Sequence, residues 1–213
     1  SFASKGYLET VTWSFTDSKI DKQFAKGEKE ISILNPISSD LDVLRRSIFS
    51  NLAIHLKKNQ DRGYEDLSLF EVGPTFQGKN PGEQEIVVGG IKSGKTGRKS
   101  WLEKERNLDV FDVKSDTLKS LVELGVEEKD LFVSDNTRNC YHPGRSGSVL
   151  LKSEKGPLLA YFGEIHPAII KKMDFKEQNI YGVEIFLKNI PEPNKKNRFT
   201  KKSFKPSDFQ KSE

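Results

Sequence analysis

Short apolar runs separated by turn-forming residues recur along this chain and restrict it to folds in which a sheet carries the core. "ETVTWSF" (9–15) alternates Val11, Trp13 and Phe15 with Thr10, Thr12 and Ser14, the period-two pattern of a strand with one buried face. Similar runs follow at 31–34, 67–72, 85–91, 108–113, 131–134, 148–152, 157–165 and 179–187. The runs "LSLFEV" (67–72) and "EIVVGGI" (85–91) flank "GPTFQGKNPGEQ", whose glycines and prolines suit a long turn, so the pair reads as an antiparallel hairpin. Helical stripes are few. One is expected after Asn35-Pro36, capped by Ser38, Ser39 or Asp40, with Leu41, Leu44, Ile48, Leu52 and Leu56 on one face and an end before Gly63. A second covers 116–125, where Leu118, Leu121, Val122 and Leu124 precede Gly125, and a short third covers "AIIKKM" (168–173). Many strands with few helices predict an α+β fold with a largely antiparallel sheet.

The 34% hydrophobic and 31% charged composition of these 213 residues, with 14 Phe, describes a chain able to fill a core. No run approaches the roughly 18 apolar residues of a membrane helix, and "SFASKGYLET" lacks a signal-peptide core, so the chain is expected to be cytoplasmic. A lone Cys140 can form no internal disulfide, which suits a reducing compartment. The net charge is +4, yet seven basic residues against two acidic ones fall within 195–213, leaving the rest near neutral. "PEPNKKN" (191–197) reads as a domain exit. The expected organisation is a folded module over 1–194 and a basic linker over 195–213, with a stand-alone RNA-binding domain using that tail as one alternative.

Other patterns carry less. Gly89, Gly94, Lys95 and Thr96 satisfy the P-loop pattern letter for letter, which makes a P-loop NTPase using Gly89–Thr96 another alternative. The pattern needs a helix that starts at Lys95-Thr96 and turns its dipole to the phosphate; Gly97 and the absence of an apolar stripe in "GRKSWLEKE" argue instead for a basic loop. Cys140, His142 and His166 are zinc-ligand types without finger-like spacing, and both histidines precede Pro, where local turn hydrogen bonds are expected. His55 reads as a helical surface residue, and Glu164 with His166 lacks a neighbouring nucleophile. Arg145 in "HPGRSGS" could hold an anion or make a structural salt bridge. Arg45 and Arg46, beside the first helical stripe, are expected to be solvated or paired with Asp40 and Asp42, with a subunit contact possible.

Five ordered blocks, "SFASKGYLETVTWSF", "LNPISSDLDVLRRSIFSNLAIHLKKNQDRGYEDLSLFEVGPTF", "FDVKSD", "YHPGRSG" and "YFGEIHP", spread from Ser1 to Pro167, resemble the β subunits of bacterial phenylalanine-tRNA ligases. The resemblance implies a class II synthetase-like module: a mixed, mostly antiparallel sheet flanked by helices, catalytically silent in this family. It implies that the whole enzyme uses ATP and Mg2+ while this chain holds neither a cofactor nor a metal. In class II enzymes an Arg on a strand of the second motif steadies the ATP α-phosphate. Aligning Phe70 with that motif's Phe puts Glu71 at the Arg position, and "NIYGVEIFLKNI", the region matching the third motif, has Gly182 but no Arg. No catalytic residue is therefore expected. "SKGYLETVTWSF" resembles the end of the first motif, which builds subunit interfaces, so Glu9, Thr12, Trp13 and Phe15 are the interface candidates. The implied partners are an α subunit, in an α2β2 tetramer, and tRNA(Phe). The resemblance further implies a fragment, with editing modules upstream and an anticodon-binding-like domain downstream.

Overall fold

The computed structural model describes residues 2–96, 105–176 and 179–192. Its elements are β1 (Leu8–Glu9), β2 (Phe15–Thr16), α1 (Ser18–Phe24), β3 (Val43–Leu44), α2 (Phe49–Asp61), β4 (Leu67–Phe76), β5 (Gln84–Ser93), α3 (Val110–Glu123), β6 (Leu131–Ser134), β7 (Tyr141–Leu151), β8 (Leu158–Ile165), α4 (Pro167–Lys172) and β9 (Ile180–Phe186). Seven strands make one sheet in the order β1-β4-β5-β9-β8-β7-β6, and β2 and β3 form a separate ribbon. Only the short β1 runs parallel to its neighbour, with Leu8 opposite Leu69; the other pairs of this sheet are antiparallel. The sheet is thus mixed and mostly antiparallel, with helices on both sides, as expected.

Alternation along the strands divides the core in two. Leu69, Val87, Ile91, Ile165 and Ile180 pack with Ile48, Phe49, Leu52 and Leu56 at α2. Phe70, Val88, Phe162, Val183 and Ile185 pack with Val113 and Leu121 of α3 on the opposite face. Both sheet faces are buried, which is why the central runs read as nearly continuous apolar stretches.

The run at 31–34 is no strand, Ser32 making only an isolated bridge to Val43, and other expectations also need correction. The first helix begins at Phe49, not near Ser38–Asp40, because the backbone of 43–45 is already committed: Leu44 N–H donates to Ile31 O, Arg45 N–H to Ser14 O, and Val43–Leu44 pairs with β2. The run at 108–113 is no strand. Asp109 accepts from the amides of Phe111 and Asp112 while Asp112 accepts from the amide of Asp109, and this reciprocal cap starts α3 at Val110. "HPGRSG" lies inside β7, with a register break between Tyr141 and Ser146.

Candidate functional site

Across the face that α2 covers, Glu71 of β4, Gly89 of β5, Glu184 of β9, Tyr161 of β8 and Ser148 of β7 stand directly opposite one another in register. Glu71 and Glu184 are only 3% and 1% exposed, so each needs a compensating cation. Both cations come from outside the sheet. Arg45 Nη1 donates to Glu71 Oε1 at 2.8 Å and to Thr12 Oγ1 at 2.8 Å, while its Nε donates to Pro74 O at 2.8 Å. Arg138 Nη1 donates to Glu184 Oε2 at 2.9 Å, and its Nη2 reaches Glu28. Burial pushes the Glu184 carboxyl above its ordinary range, and Arg138 offsets part of that shift.

Glycines let the start of α2 close onto this face. A Cβ on Gly89 would lie 2.2 Å from Ile48 Cγ2, one on Gly182 would lie 2.8 Å from Phe49 Cζ, and one on Gly73 would lie 2.2 Å from Arg45 Nη2. What stays open beside them is a cavity of about 350 Å³ whose ionisable walls are Glu28, Glu85 and Glu184 against Lys29, Arg46 and Arg138. The charges of this cavity balance, and the Glu71 carboxylate beside it is already held by Arg45.

The four interface candidates lie along one segment. Thr10 N–H donates to Phe70 O, Thr12 Oγ1 donates to Glu71 Oε2 at 2.7 Å, and Asn51 Nδ2 donates to the carbonyls of Trp13 at 2.7 Å and Phe15 at 3.2 Å. The backbone is held by the core, and the side chains divide. Thr12 and Phe15 are half-buried, whereas Glu9, Leu8, Val11 and Trp13 are exposed, Val11 and Trp13 by 91% and 67%. The expected half-buried apolar face is therefore corrected: only Phe15 and Thr16 form β2, and Val11 and Trp13 face solvent on the segment that joins β1 to β2.

Arg145 lies elsewhere, with Nε and Nη2 on the two oxygens of Glu164 at 2.5 and 2.9 Å. His142 Nδ1 accepts from Gly144 N–H and His166 Nδ1 from Ala168 N–H, the local turn bonds expected of them. Among the described residues no group of three or more His, Cys, Asp or Glu could hold a metal ion. Cys140 is buried, and burial pushes its thiol up to about 12. The P-loop alternative fails on geometry. Gly89 through Ser93 are central-strand residues of β5, hydrogen-bonded on both sides, and Lys95 pairs with Glu105 at 3.3 Å. Residues 97–104, over which that helix would continue, and the basic segment 195–213 lie outside the described residues.

Sequence reasoning missed the buried arginines. Arg45 and Arg46 pair with Glu71 and Asp21, not with Asp40 and Asp42, because the chain turns inward at 45–48 ahead of α2. Two adjacent arginines inside an apolar stripe were the one available signal.

A mixed, mostly antiparallel seven-stranded sheet with a parallel edge strand and helices on both faces is the fold of class II aminoacyl-tRNA synthetases. A pyrrolysyl tRNA synthetase from Desulfitobacterium hafniense superposes with a TM-score of 0.62 over 89% of this chain and 63% of that one, at 13% identity, a likeness of fold alone. Residues 1–187 match the family model described as the phenylalanyl tRNA synthetase beta chain CLM domain, and the chain belongs to that family. Among its relatives are proteins named phenylalanine–tRNA ligase beta subunit from Paramagnetospirillum magneticum, 41% identical over 89% of this chain, and from Rhodospirillum rubrum, 40% identical over 99%. The chain spans 23% and 26% of those relatives, about a quarter of their length. No helix among the described residues is long and apolar enough to cross a membrane.

Proposed function

We propose that this chain is a noncatalytic structural module of a phenylalanine–tRNA ligase β subunit, packing with the α subunit in an enzyme that attaches phenylalanine to tRNA(Phe) with ATP and Mg2+. The observation that carries this reading is the pair of sheet carboxylates, Glu71 and Glu184, each neutralised by a buried or half-buried arginine on the face where a class II enzyme would need free cations. A face so filled leaves the module its outer surfaces to contribute. The segment from Leu8 to Trp13 supports a docking role: its backbone is fixed by Phe70, Glu71 and Asn51, while Val11 and Trp13 stand in solvent. A fixed backbone lowers the ordering cost of association, and an exposed Trp is the residue type that most often anchors an interface.

The test is reconstitution with the α subunit, followed by an aminoacylation assay. Trp13→Glu is expected to block assembly and abolish activity while the separate β chain stays folded. Saturable ATP binding by the β chain alone, lost in Lys95→Ala, would sink the proposal.

A further inference from the structure

On the same side of the sheet as α2, a second and wider cavity of about 710 Å³ opens between α1, the 137–143 stretch and α4. Lys22, Lys26, Arg138, His166 and Lys172 line it, and no carboxylate does. The acids that answer these cations sit behind the wall: Glu30 pairs with Lys22 at 2.9 Å, and Glu28 and Glu184 hold Arg138. Lys172 Nζ donates to Gln23 Oε1 at 2.9 Å, a neutral partner, and Lys26 makes no ion pair with any described residue. Lys22 and Arg138 are thus answered by carboxylates, and Lys26 and Lys172 remain as the uncompensated cations of the opening, an excess that an anion relieves.

A second feature points the same way. Thr137 and Tyr141 belong to the lining, and their hydroxyl oxygens are buried with no hydrogen-bond partner among the described residues. Tyr141 is 1% exposed, and burial pushes its phenol well up, so it keeps its proton and remains a donor without an acceptor. His166 accepts at Nδ1 from Ala168 N–H, which in the neutral ring puts the proton on Nε2 as another donor. The cavity therefore combines cations with donors in need of acceptors, the complement of a group that is anionic and acceptor-only.

We infer that the cavity bounded by Lys22, Lys26, Arg138, His166 and Lys172 binds a phosphate group. A phosphate oxygen accepts from the hydroxyl donors while the lysines neutralise its charge. The volume exceeds one phosphate, which suits a phosphodiester run or a small polyphosphate. This cavity shares Arg138 with the balanced one over Glu184 and has no lining residue in the exposed segment at Trp13.

The experiment titrates the full-length protein at low salt with inorganic pyrophosphate and, separately, with a short fluorescent single-stranded RNA. Lys26→Glu/Lys172→Glu is compared with Lys119→Glu/Lys129→Glu, which reverses as much charge on the α3 side; all four lysines are exposed, and a melting curve checks that both variants fold. The cavity variant is expected to bind pyrophosphate about tenfold more weakly, with the far-side variant unchanged. If RNA affinity falls in parallel and the salt slope drops by about 1.4, roughly 0.7 per lost contact to a single strand, the phosphate belongs to a nucleic-acid backbone. If pyrophosphate alone responds, the ligand is a small phosphate. No binding of either probe, equal loss in both variants, or no loss in the cavity variant overturns the inference.

Discussion

Gly89→Ala tests whether the sheet face is filled as described, because one added methyl meets the start of α2 head-on. The new Cβ would lie 2.2 Å from Ile48 Cγ2, 3.2 Å from Leu52 Cδ1 and 3.3 Å from Ile48 Cβ, and both side chains are 0% exposed. Neither can move into solvent. Overpacking of this kind costs about 1–3 kcal/mol, and a contact this short belongs near 3. Gly89 lies in a regular strand, so Ala gains about 0.5–1 kcal/mol over Gly in backbone entropy there. The net expectation is a loss of about 2 kcal/mol, or about 4–8 °C in Tm for a domain of this size. The decisive measurement is a double-mutant cycle in urea. Ile48→Ala removes Cγ2 and by itself costs about 2–5 kcal/mol through the cavity it leaves. In that background Leu52 can relax into the vacated space, and Gly89→Ala is expected to change sign and stabilise by about 0.5–1 kcal/mol. A loss that persists undiminished in the Ile48→Ala background would mean that Ile48 does not sit over Gly89, and the packing of α2 on the sheet would have to be redrawn.

Arg45→Met leaves the 3%-exposed Glu71 with only Thr12 for company and is expected to cost about 3–5 kcal/mol by urea titration, while Arg45→Met/Glu71→Leu recovers most of it. Trp13→Ala, at 67% exposure, is expected to change chain stability by less than about 0.5 kcal/mol yet weaken association with the α subunit by about 2 kcal/mol, near thirtyfold, in sedimentation titrations. Cys140 is expected to resist a thiol reagent at neutral pH in the native protein and to react fully in denaturant; early native reaction would contradict its burial. Its folded pKa, up to about 12, lies above the free-thiol value, so the folded state holds a proton that the unfolded chain releases. That contribution is complete below about pH 8.5 and is lost as pH rises toward the folded value, a decline that Cys140→Ala removes from the stability–pH curve.

The parts of the fold written in local pattern were legible. The hairpin of β4 and β5, the strand β8, the last strand β9 and the stop of α3 at Gly125, whose φ is 101°, follow from period two, turn residues and a glycine. Errors came where a local signal had a stronger competitor. "LDVFDV" looks like a strand because β-branched and aromatic residues alternate with polar ones, but the reciprocal cap of Asp109 and Asp112 starts a helix inside it. Leu41 and Leu44 continue the helical stripe on paper, yet strand pairing with Phe15–Thr16 claims that backbone. Of the site, the Glu71 carboxylate within an apolar strand could be read. Its neutralisation could not, because Arg45 lies 26 residues away and only the tertiary fold brings the two together. Glu184 and Arg138, 46 residues apart, escaped notice for the same reason.

The Glu71 carboxylate also joins the filled face to the exposed segment. It accepts from Arg45 on one side and from the Thr12 hydroxyl on the other, so one buried carboxylate holds both the approach to α2 and the backbone on which Trp13 is displayed. Loss of Glu71 therefore acts in two places, loosening α2's approach through Arg45 and freeing residues 10–13 through Thr12. Conservative replacement weights the two effects differently. Glu71→Gln keeps an acceptor for one donor but leaves the Arg45 charge buried without its counter-ion, so stability falls; Thr12→Val keeps the Glu71–Arg45 ion pair but removes both bonds of the Thr12 hydroxyl, the one it donates to Glu71 and the one it accepts from Arg45. If preorganisation of that segment contributes to docking, Thr12→Val weakens association with the α subunit while urea unfolding of the chain shifts by about 1.5–3 kcal/mol for each of the two lost hydrogen bonds to charged groups. Unchanged association would show that residues 10–13 do not depend on Glu71 for their bound conformation.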